Sequence, residues 1–211
     1  MHWIELPFST SDAQLISAAV TSDELLVIPT DTVYGIGANP HSSTAVNKML
    51  NAKGRGRNMP SPVLVPSIEV GLAMGQQLPP WVNKLVQAFW PGALTLIFKR
   101  SQLAADFDLG ETTDTIAVRM PDHQNALEVL SVTGPLAVSS ANSTGNPPAT
   151  SCQMARNYFG SAVSVYCDGG PTSGPTPSTI VDATTQTPVI LRAGNIDERT
   201  IKLLIADDEK R

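Results

Sequence analysis

Residues 25–35 read LLVIPTDTVYG, an apolar run that ends in a dense group of polar side chains. The run Leu25–Pro29 has the composition of a strand that is buried on both faces. Two hydroxyls, a carboxylate and a phenol follow within Thr30–Tyr34, in a turn that Pro29 and Gly35 stiffen. An ordinary turn needs fewer polar groups, so this segment is a candidate binding element at a strand end.

Similar short apolar or β-branched runs recur along the chain and alternate with segments of helical spacing. We predict buried strands at 25–29, 62–65, 94–98, 115–118, 136–139, 163–166, 179–181 and 189–191. We predict helices from Ser11 or Asp12 through Val20, over 45–50, 81–89, 124–131 and 153–159, and from Asn195 or Asp197 through Leu204. This alternation indicates an α/β domain.

The length of 211 residues allows a full core without a metal or a disulfide, and one domain over residues 1–211 is expected. The 19 acidic and 14 basic residues give a net charge of −5, which excludes a broad cationic surface for nucleic acid. Cys152 and Cys167 lack the spacing of a zinc or redox site, so reduced, partly buried thiols are expected, although sequence alone does not exclude a disulfide. With no signal-like N-terminus and no apolar run of about 18 residues, we expect a cytoplasmic protein without a membrane span.

Two loops rich in Gly, Pro, Ser and Thr, residues 142–150 and 169–178, each follow a predicted strand directly. Long loops in a compact domain often bind ligands, and strand ends are the usual binding edge of an α/β sheet. We expect the two loops to converge on one cleft, with plain connecting loops as the alternative.

Familiar catalytic motifs are missing from the sequence. It contains no GxxxxGK[ST] phosphate loop, no HExxH, no GxSxG and no GxGxxG, and its histidines show no ligand spacing. A metal hydrolase and a Ser/His hydrolase are therefore disfavoured, and no metal-binding residues are predicted.

A cluster of cations follows the second predicted helix. Residues 53–57 read KGRGR, and the glycines let the backbone approach a ligand closely. Lysine supplies a point charge and arginine a bidentate fork, which suits a polyphosphate. The alternative is a solvated basic loop.

Polar side chains also end two later strands. Burying Arg119 beside the strand 115–118 costs several kcal/mol unless an anion compensates, and that anion is either a carboxylate ligand or a structural Asp or Glu. Ser139, Ser140 and Asn142 follow the strand at 136–138, where they either bind phosphate oxygens or a substrate amine, or cap a turn.

Seven motifs in order make the chain resemble the YrdC-like (TsaC) family, which contains the L-threonylcarbamoyladenylate synthases. They are PTDTVYG (29–35), KGR (53–55), WPG (90–92), VRMP (118–121), SAN (140–142), STIVD (178–182) and RAG (192–194), so the resemblance covers nearly the whole chain. It implies one twisted α/β domain around a concave, positively lined cavity. It also implies an enzyme, a nucleotidyltransferase, that joins L-threonine, bicarbonate and ATP into threonylcarbamoyl-AMP and releases pyrophosphate. A downstream threonylcarbamoyl transferase complex then uses the product on tRNA, which is an indirect partner.

The resemblance implies roles for individual side chains by motif position. The implied threonine contacts are Thr32, Tyr34, Arg119 and Ser178. The implied ATP contacts are Lys53, Arg55, Thr115, Ser140, Asn142 and Arg192, of which Lys53, Arg55, Ser140 and Asn142 form the catalytic signature. Mg²⁺ is expected to be carried mainly by the nucleotide, because no carboxylate cage is visible.

The chain departs from the family pattern at a few places. Many members have Pro, Asn and His where this chain has Gly56, Met59 and Leu64, which puts one threonine contact and one ATP contact in question. The chain ends at Arg211, soon after the Arg192 motif, so the extra C-terminal domain of the longer synthases is expected to be missing.

Two alternative functions stay open. An RNA-binding module would use Lys48, Lys53, Arg55 and Arg57 as a concave basic surface, although the net charge and the lack of interleaved aromatic residues count against it. A family relative acting on another carbamoyl compound is the second alternative, and the retained threonine contacts count against it.

Several other features have an ordinary structural interpretation. Trp81, Leu85 and Phe89 are expected in the core because they form a helical stripe. His123 is expected to cap or pack at a helix start, and Asp31 and Asp182 are expected to anchor backbone amides rather than Mg²⁺.

Overall fold

A mixed β-sheet of 11 strands runs through the structure, a computed structural model that describes residues 1–111, 114–172, 174 and 176–206. The strands are β1 (His2–Glu5), β2 (Leu26–Ile28), β3 (Gly35–Ala38), β4 (Val63–Leu64), β5 (Gly75–Gln76), β6 (Leu94–Arg100), β7 (Thr115–Arg119), β8 (Leu136–Ser140), β9 (Val165–Asp168), β10 (Thr179–Asp182) and β11 (Val189–Arg192). Their order across the sheet is β1-β9-β2-β3-β8-β4-β7-β6-β10-β11, and β5 pairs with β6 outside this path. The pairs β1/β9, β2/β9, β4/β7 and β6/β10 are parallel and the others are antiparallel.

Helices lie on both faces of this sheet. They are α1 (Thr10–Thr21), α2 (Ser43–Lys53), α3 (Ile68–Ala73), α4 (Trp81–Phe89), α5 (Gln124–Thr133), α6 (Cys152–Phe159) and α7 (Glu198–Ala206). The predicted single α/β domain is thereby confirmed. No helix within the described ranges is long and apolar enough to cross a membrane.

Each predicted strand overlaps an observed one, but the prediction was incomplete. It omitted β1, β3, β5 and α3, and it treated Gly35 as a turn residue although Gly35 begins β3. The expected burial of the last strand was wrong: Val189 and Leu191 are 46% and 56% exposed, because β11 is an edge strand with a neighbour on one side only.

Short polar side chains begin most of the helices. Ser9, rather than Ser11 or Asp12, caps α1, and the Asp12 carboxylate accepts a hydrogen bond from the Ser9 amide at 3.0 Å to complete a capping box. His123 caps α5 by accepting from the Ala126 amide at 3.4 Å, which confirms its predicted capping role.

Strand alternation divides the apolar side chains between two cores. In β2, Val27 belongs to the larger core, against α2, α4, α6 and α7, whereas Leu26 and Ile28 belong to the smaller core, against α1 and α5. In β7, Ile116 and Val118 face the larger core. The other face of β7 lies beyond the smaller core and borders a cavity.

Two structural predictions concern buried side chains. Trp81 and Leu85 are buried in the larger core, and Phe89 packs against it, which confirms that this helical stripe is core. Cys152 and Cys167 are free and buried, on opposite faces of the sheet.

Candidate functional site

A cavity of about 540 Å³ lies on the sheet face that also carries the smaller core. Alternate residues form its floor: Thr115, Ala117 and Arg119 of β7, Thr95 and Ile97 of β6, Val138 and Ser140 of β8, Ile180 of β10 and Arg192 of β11. Its walls come from Thr30 and residues 32–35, from 60–62 with Arg55, and from Leu109, Pro148 and Pro177. The last two prolines belong to the two Gly/Pro-rich loops, so those loops do meet at one cleft.

Most of the side chains singled out in the sequence line this cavity. They are Thr32, Tyr34, Arg55, Thr115, Arg119, Ser140, Ser178 and Arg192. Lys53 and Asn142 do not line it. Arg55, Arg119 and Arg192 bring three guanidinium groups, and no Asp or Glu of the described chain lines the cavity. Such a lining favours an anionic ligand.

Arg119 is held at the end of β7 by a structural carboxylate. It is 7% exposed, and its Nη2 donates to Asp31 Oδ1 at 2.6 Å. Its Nε donates to the Gly92 carbonyl at 3.0 Å and its Nη1 to Thr32 Oγ1 at 3.3 Å. The anion that compensates this buried cation is therefore the structural carboxylate of Asp31. Arg119 still borders the cavity.

Two carboxylates that the sequence singled out anchor backbone amides. Asp31 Oδ1 accepts from the Asp122 amide at 3.2 Å, and Asp182 Oδ1 accepts from the Thr184 amide at 2.8 Å. Both confirm the predicted anchoring role. Within the part of the chain that the structure describes, no cluster of three or more His, Cys, Asp or Glu side chains is placed to hold a metal ion.

A second polar centre joins β6, β10 and β11. Arg192 donates to the Ser178 carbonyl from Nε at 3.1 Å and from Nη2 at 2.9 Å, and Nη2 also donates to Ser178 Oγ at 3.1 Å. Burial lowers the pKa of Arg192, and the nearby charge of Arg119 lowers it further. Thr95 Oγ1 lies 2.8 Å from Ser178 Oγ. Sequence reasoning missed Thr95; the available signal was one polar residue within an apolar strand.

Lys53 lies behind the cavity, as the last residue of α2. It is 3% exposed, and its ammonium donates to the carbonyls of Ser140 and, at 2.8 Å, of Asn142. Burial lowers the pKa of Lys53 to about 8, with a further contribution from the charge of Arg55. Gly54, with a φ of +62°, ends the helix and turns the chain so that Arg55 reaches the cavity.

Asn142 organises the turn that follows β8. Its Oδ1 accepts from the Ser140 hydroxyl at 2.6 Å, and its Nδ2 donates to the carbonyls of Ser143 and Asn146 at 3.0 and 2.8 Å. Together with Lys53, this network fixes Ser140 at the cavity edge.

Arg55 lines the cavity beside the wall formed by residues 60–62. Its Nη1 donates to Ser139 Oγ at 2.8 Å and its Nη2 approaches the Pro60 carbonyl at 3.4 Å. Arg55 Nε and Ser61 Oγ are buried without a hydrogen-bond partner among the described residues. Burial lowers the pKa of Arg55. Ser61 was also missed by sequence reasoning, because nothing distinguishes it from other loop serines.

The other cations near residue 55 pair with acidic side chains. Arg57 Nη2 lies 2.6 Å from Asp108 Oδ1, and Lys48 Nζ lies 2.9 Å from Glu24 Oε1. With Lys53 buried as well, Arg55 is the member of that set that borders the cavity. The four cations considered for an RNA-binding surface therefore do not converge on this cavity, because Lys53 is buried and Lys48 and Arg57 pair with carboxylates.

Tyr34 anchors the base of the loop 169–178. Its hydroxyl donates to the Gly170 carbonyl at 2.6 Å and accepts from the Gly169 amide at 3.1 Å. Burial raises the pKa of Tyr34. Within this loop, Ser173 and Pro175 lie outside the described residues.

The departures from the family pattern differ in their position. Leu64 lines the cavity, whereas Gly56 and Met59 do not, and Met59 is 54% exposed. Among these departures, Leu64 is therefore the one that alters the lining.

Comparison with known proteins identifies relatives along most of the chain. The Sua5/YciO/YrdC family model, described as "Telomere recombination", matches residues 18–194. A "Putative threonylcarbamoyl-AMP synthase" of Mycobacterium tuberculosis is 44% identical over 190 residues, which cover 90% of this chain and 87% of the relative. The threonylcarbamoyl-AMP synthase of Bacillus subtilis is 36% identical over 200 residues, which cover 93% of this chain and 58% of that protein.

Solved structures also superpose on most of the chain. The crystal structure of Pyrococcus abyssi Sua5 complexed with L-threonine superposes with a TM-score of 0.86 at 31% identity, covering 96% of this chain and 60% of that one. Escherichia coli YciO superposes with a TM-score of 0.81 at 21% identity over 93% of this chain and 97% of that one, a likeness of fold. The chain thus spans 58% to 60% of the length of the Bacillus and Pyrococcus proteins.

Proposed function

This chain belongs to the Sua5/YciO/YrdC family, and we propose from that membership and from its cavity that it is an L-threonylcarbamoyladenylate synthase. It uses L-threonine, bicarbonate and ATP and releases threonylcarbamoyl-AMP and pyrophosphate. The observation that carries the proposal is the convergence of Arg55, Arg119 and Arg192 with a ring of hydroxyl groups on one cavity. The cavity volume, about 540 Å³, lies within the range of small-ligand sites.

We assign the amino acid to the end of the cavity around Arg119. Its guanidinium and the hydroxyls of Thr32 and Ser178 offer hydrogen-bond donors to a carboxylate. Asp31 holds the guanidinium in place, so little reorganisation is needed when the ligand binds. Tyr34 supports this end by anchoring the loop 169–178 rather than by acid–base chemistry.

We assign the nucleotide to the groups of the opposite wall and the sheet floor. Arg55 and the Ser139–Ser140 strand end stand on one side, with Thr115 and Arg192 on the other. Lys53 and Asn142 act indirectly, by fixing Ser140 and the turn that follows it. Their part in the signature is therefore to position the phosphate-binding edge.

The proposed reaction has two steps. The amine of L-threonine adds to bicarbonate to give a carbamate and water. A carbamate oxygen then attacks the α-phosphorus of ATP, and pyrophosphate leaves. Negative charge gathers on phosphate oxygens, so fixed guanidinium groups and donors lower the barrier, and alignment of the two substrates supplies much of the remainder.

Mg²⁺ enters this scheme with the nucleotide. The described residues provide no carboxylate cage, and Asp31 is engaged with Arg119 and a backbone amide. The described residues do not fit a resident metal ion.

The product determines the partner of this enzyme. Threonylcarbamoyl-AMP is a mixed anhydride, an activated acyl donor that a separate transferase complex uses on an adenosine of tRNA. The tRNA is thus an indirect partner, and we infer a cytoplasmic location because the proposed reaction consumes ATP and serves tRNA.

Two arginine variants test the assignment. Arg55→Ala lowers turnover at least about tenfold, or 1.4 kcal/mol of barrier, because a cavity cation is lost. Arg156→Ala is the control, since Arg156 lies over the Trp3 ring, 5.7 Å from its centroid and outside the cavity lining. Turnover is measured as pyrophosphate release with circular dichroism as the folding check. Wild-type turnover in a folded Arg55→Ala sample contradicts the assignment.

A further inference from the structure

A threonine within β6 faces the cavity from an otherwise apolar run. Thr95 is 4% exposed, and its neighbours Leu94 and Leu96 both belong to the larger core. Its hydroxyl lies 2.8 Å from the hydroxyl of Ser178, the residue before β10. Burying a hydroxyl is unfavourable unless it is hydrogen-bonded, so the pair stabilises both positions.

Arg192 holds Ser178 from the other side. It donates twice to the Ser178 carbonyl and once, at 3.1 Å, to Ser178 Oγ. An arginine has only donors, so one lone pair of the Ser178 hydroxyl is used by Arg192 in any arrangement. One lone pair and one proton of that hydroxyl remain.

We propose that Thr95 is a positioning residue that donates its proton to Ser178 and thereby directs the Ser178 hydroxyl as a donor toward the carboxylate of bound L-threonine. The inference rests on the proposed function. With Arg192 and Thr95 filling both lone pairs, the Ser178 proton has no acceptor in this group and points to a ligand oxygen. In the opposite orientation Ser178 donates to Thr95 and offers the ligand no proton, which does not suit an anion.

Isosteric substitution tests this positioning role. Thr95→Val keeps the shape of the side chain and removes the hydroxyl, and we expect L-threonine to bind about tenfold more weakly by isothermal titration calorimetry. Thr95→Ser restores the hydroxyl and binds within about twofold of wild type. In steady-state assays Thr95→Val raises the KM for L-threonine and leaves the KM for ATP unchanged. If Thr95→Val does not fold, Thr95→Ala replaces it.

Thr179→Val is the matched control. Thr179 is a fully buried threonine of β10 on the opposite face of the sheet, and its hydroxyl donates to the Ile196 carbonyl at 2.8 Å. Thr179→Val therefore removes a buried hydroxyl that has no contact with Ser178 Oγ. We expect a lower Tm and an affinity for L-threonine within about twofold of wild type.

A double-mutant cycle separates positioning from direct contact. In a Ser178→Ala background, Thr95→Val changes the affinity less than about twofold, because the hydroxyl that Thr95 orients is gone. An equal loss in both backgrounds overturns the inference in favour of direct contact, and no loss in either overturns it while the synthase function stands. Wild-type protein that neither binds L-threonine nor forms the adenylate refutes the proposed function, and this inference with it.

Discussion

The substitution Lys53→Met tests two effects of the lysine buried behind the cavity: the hydrogen bonds that its ammonium donates and the desolvation of its charge. Methionine keeps the length of the side chain and removes the ammonium that bridges the carbonyls of Ser140 and Asn142. We expect turnover to fall at least about tenfold, because Ser140 and the following turn lose their tie to α2. The free energy of unfolding is expected to change only slightly at pH 7.

The size of the stability effect comes from two opposing contributions. The fall of the Lys53 pKa from 10.5 to about 8 means that the charged form costs the folded state on the order of 3 kcal/mol. Each lost hydrogen bond costs about 1 kcal/mol. The two contributions nearly cancel at pH 7, so Lys53→Met changes the free energy of unfolding by less than about 2 kcal/mol.

The pH dependence has a definite sign. Lys53 is protonated up to about pH 8 in the folded protein and up to about pH 10.5 in the unfolded chain. Between these values the unfolded chain binds more protons, so a rise in pH favours the folded state. Relative to Lys53→Met, the wild type gains between about 2 and 3 kcal/mol from pH 7 to pH 10.

Urea unfolding at several pH values measures this difference through tryptophan fluorescence, since the chain has 3 tryptophans. Titrations shared by the wild type and the variant cancel in the comparison. Lys48→Met is the control, because Lys48 lies on the same helix with its side chain 42% exposed. A gap between wild type and Lys53→Met that stays constant within about 0.5 kcal/mol refutes the claim that Lys53 is a desolvated cation.

Three further outcomes follow from the contacts around the cavity. Arg57→Gln breaks the ion pair that holds the loop carrying Arg55, so the KM for ATP rises. Lys48→Gln removes a similarly exposed cation from a different ion pair and leaves the KM for ATP unchanged, and equal KM values for the two variants contradict this. Asp31→Asn leaves a buried guanidinium without its carboxylate and lowers the free energy of unfolding by about 3 kcal/mol, or roughly 6–12 °C in Tm, and a calorimetric shift under about 2 °C contradicts it. Burial raises the pKa of the Cys152 thiol to about 12 and also raises that of Cys167, so a thiol reagent at pH 8 modifies them only as fast as the protein unfolds, and prompt labelling of folded protein disproves their burial.

Hydrophobic runs predicted most of the sheet because buried strands need such runs. The missed strands lack that signal. In β1, Ile4 is the buried residue and its neighbours are exposed, so pairing with β9 determines the strand. In β3 the sequence GIGA favours a turn, yet Gly35 lies where a Cβ would come 2.5 Å from Val138 Cγ1, and only close packing between strands requires that glycine.

The candidate site was predictable to the extent that its residues flank strands. Ser140 ends β8, Ser178 directly precedes β10 and Thr32 lies in the turn between β2 and β3, and the sheet brings these positions to one cavity. Partners far apart in the sequence were not predictable, as with the Arg57 contact to Asp108 across 51 positions. No pattern in KGRGR tells a cation that borders the cavity from one that is buried or paired.

The most direct test of the synthase assignment is mass spectrometry of the folded protein with ATP, bicarbonate and Mg²⁺, together with L-threonine, L-serine or no amino acid. We predict a threonylcarbamoyl-adenylate mass that requires L-threonine, is absent when bicarbonate is left out of a fourth sample, comes with matching pyrophosphate release, and falls at least about tenfold in Arg55→Ala. ATP that stays intact under all three conditions contradicts the assignment.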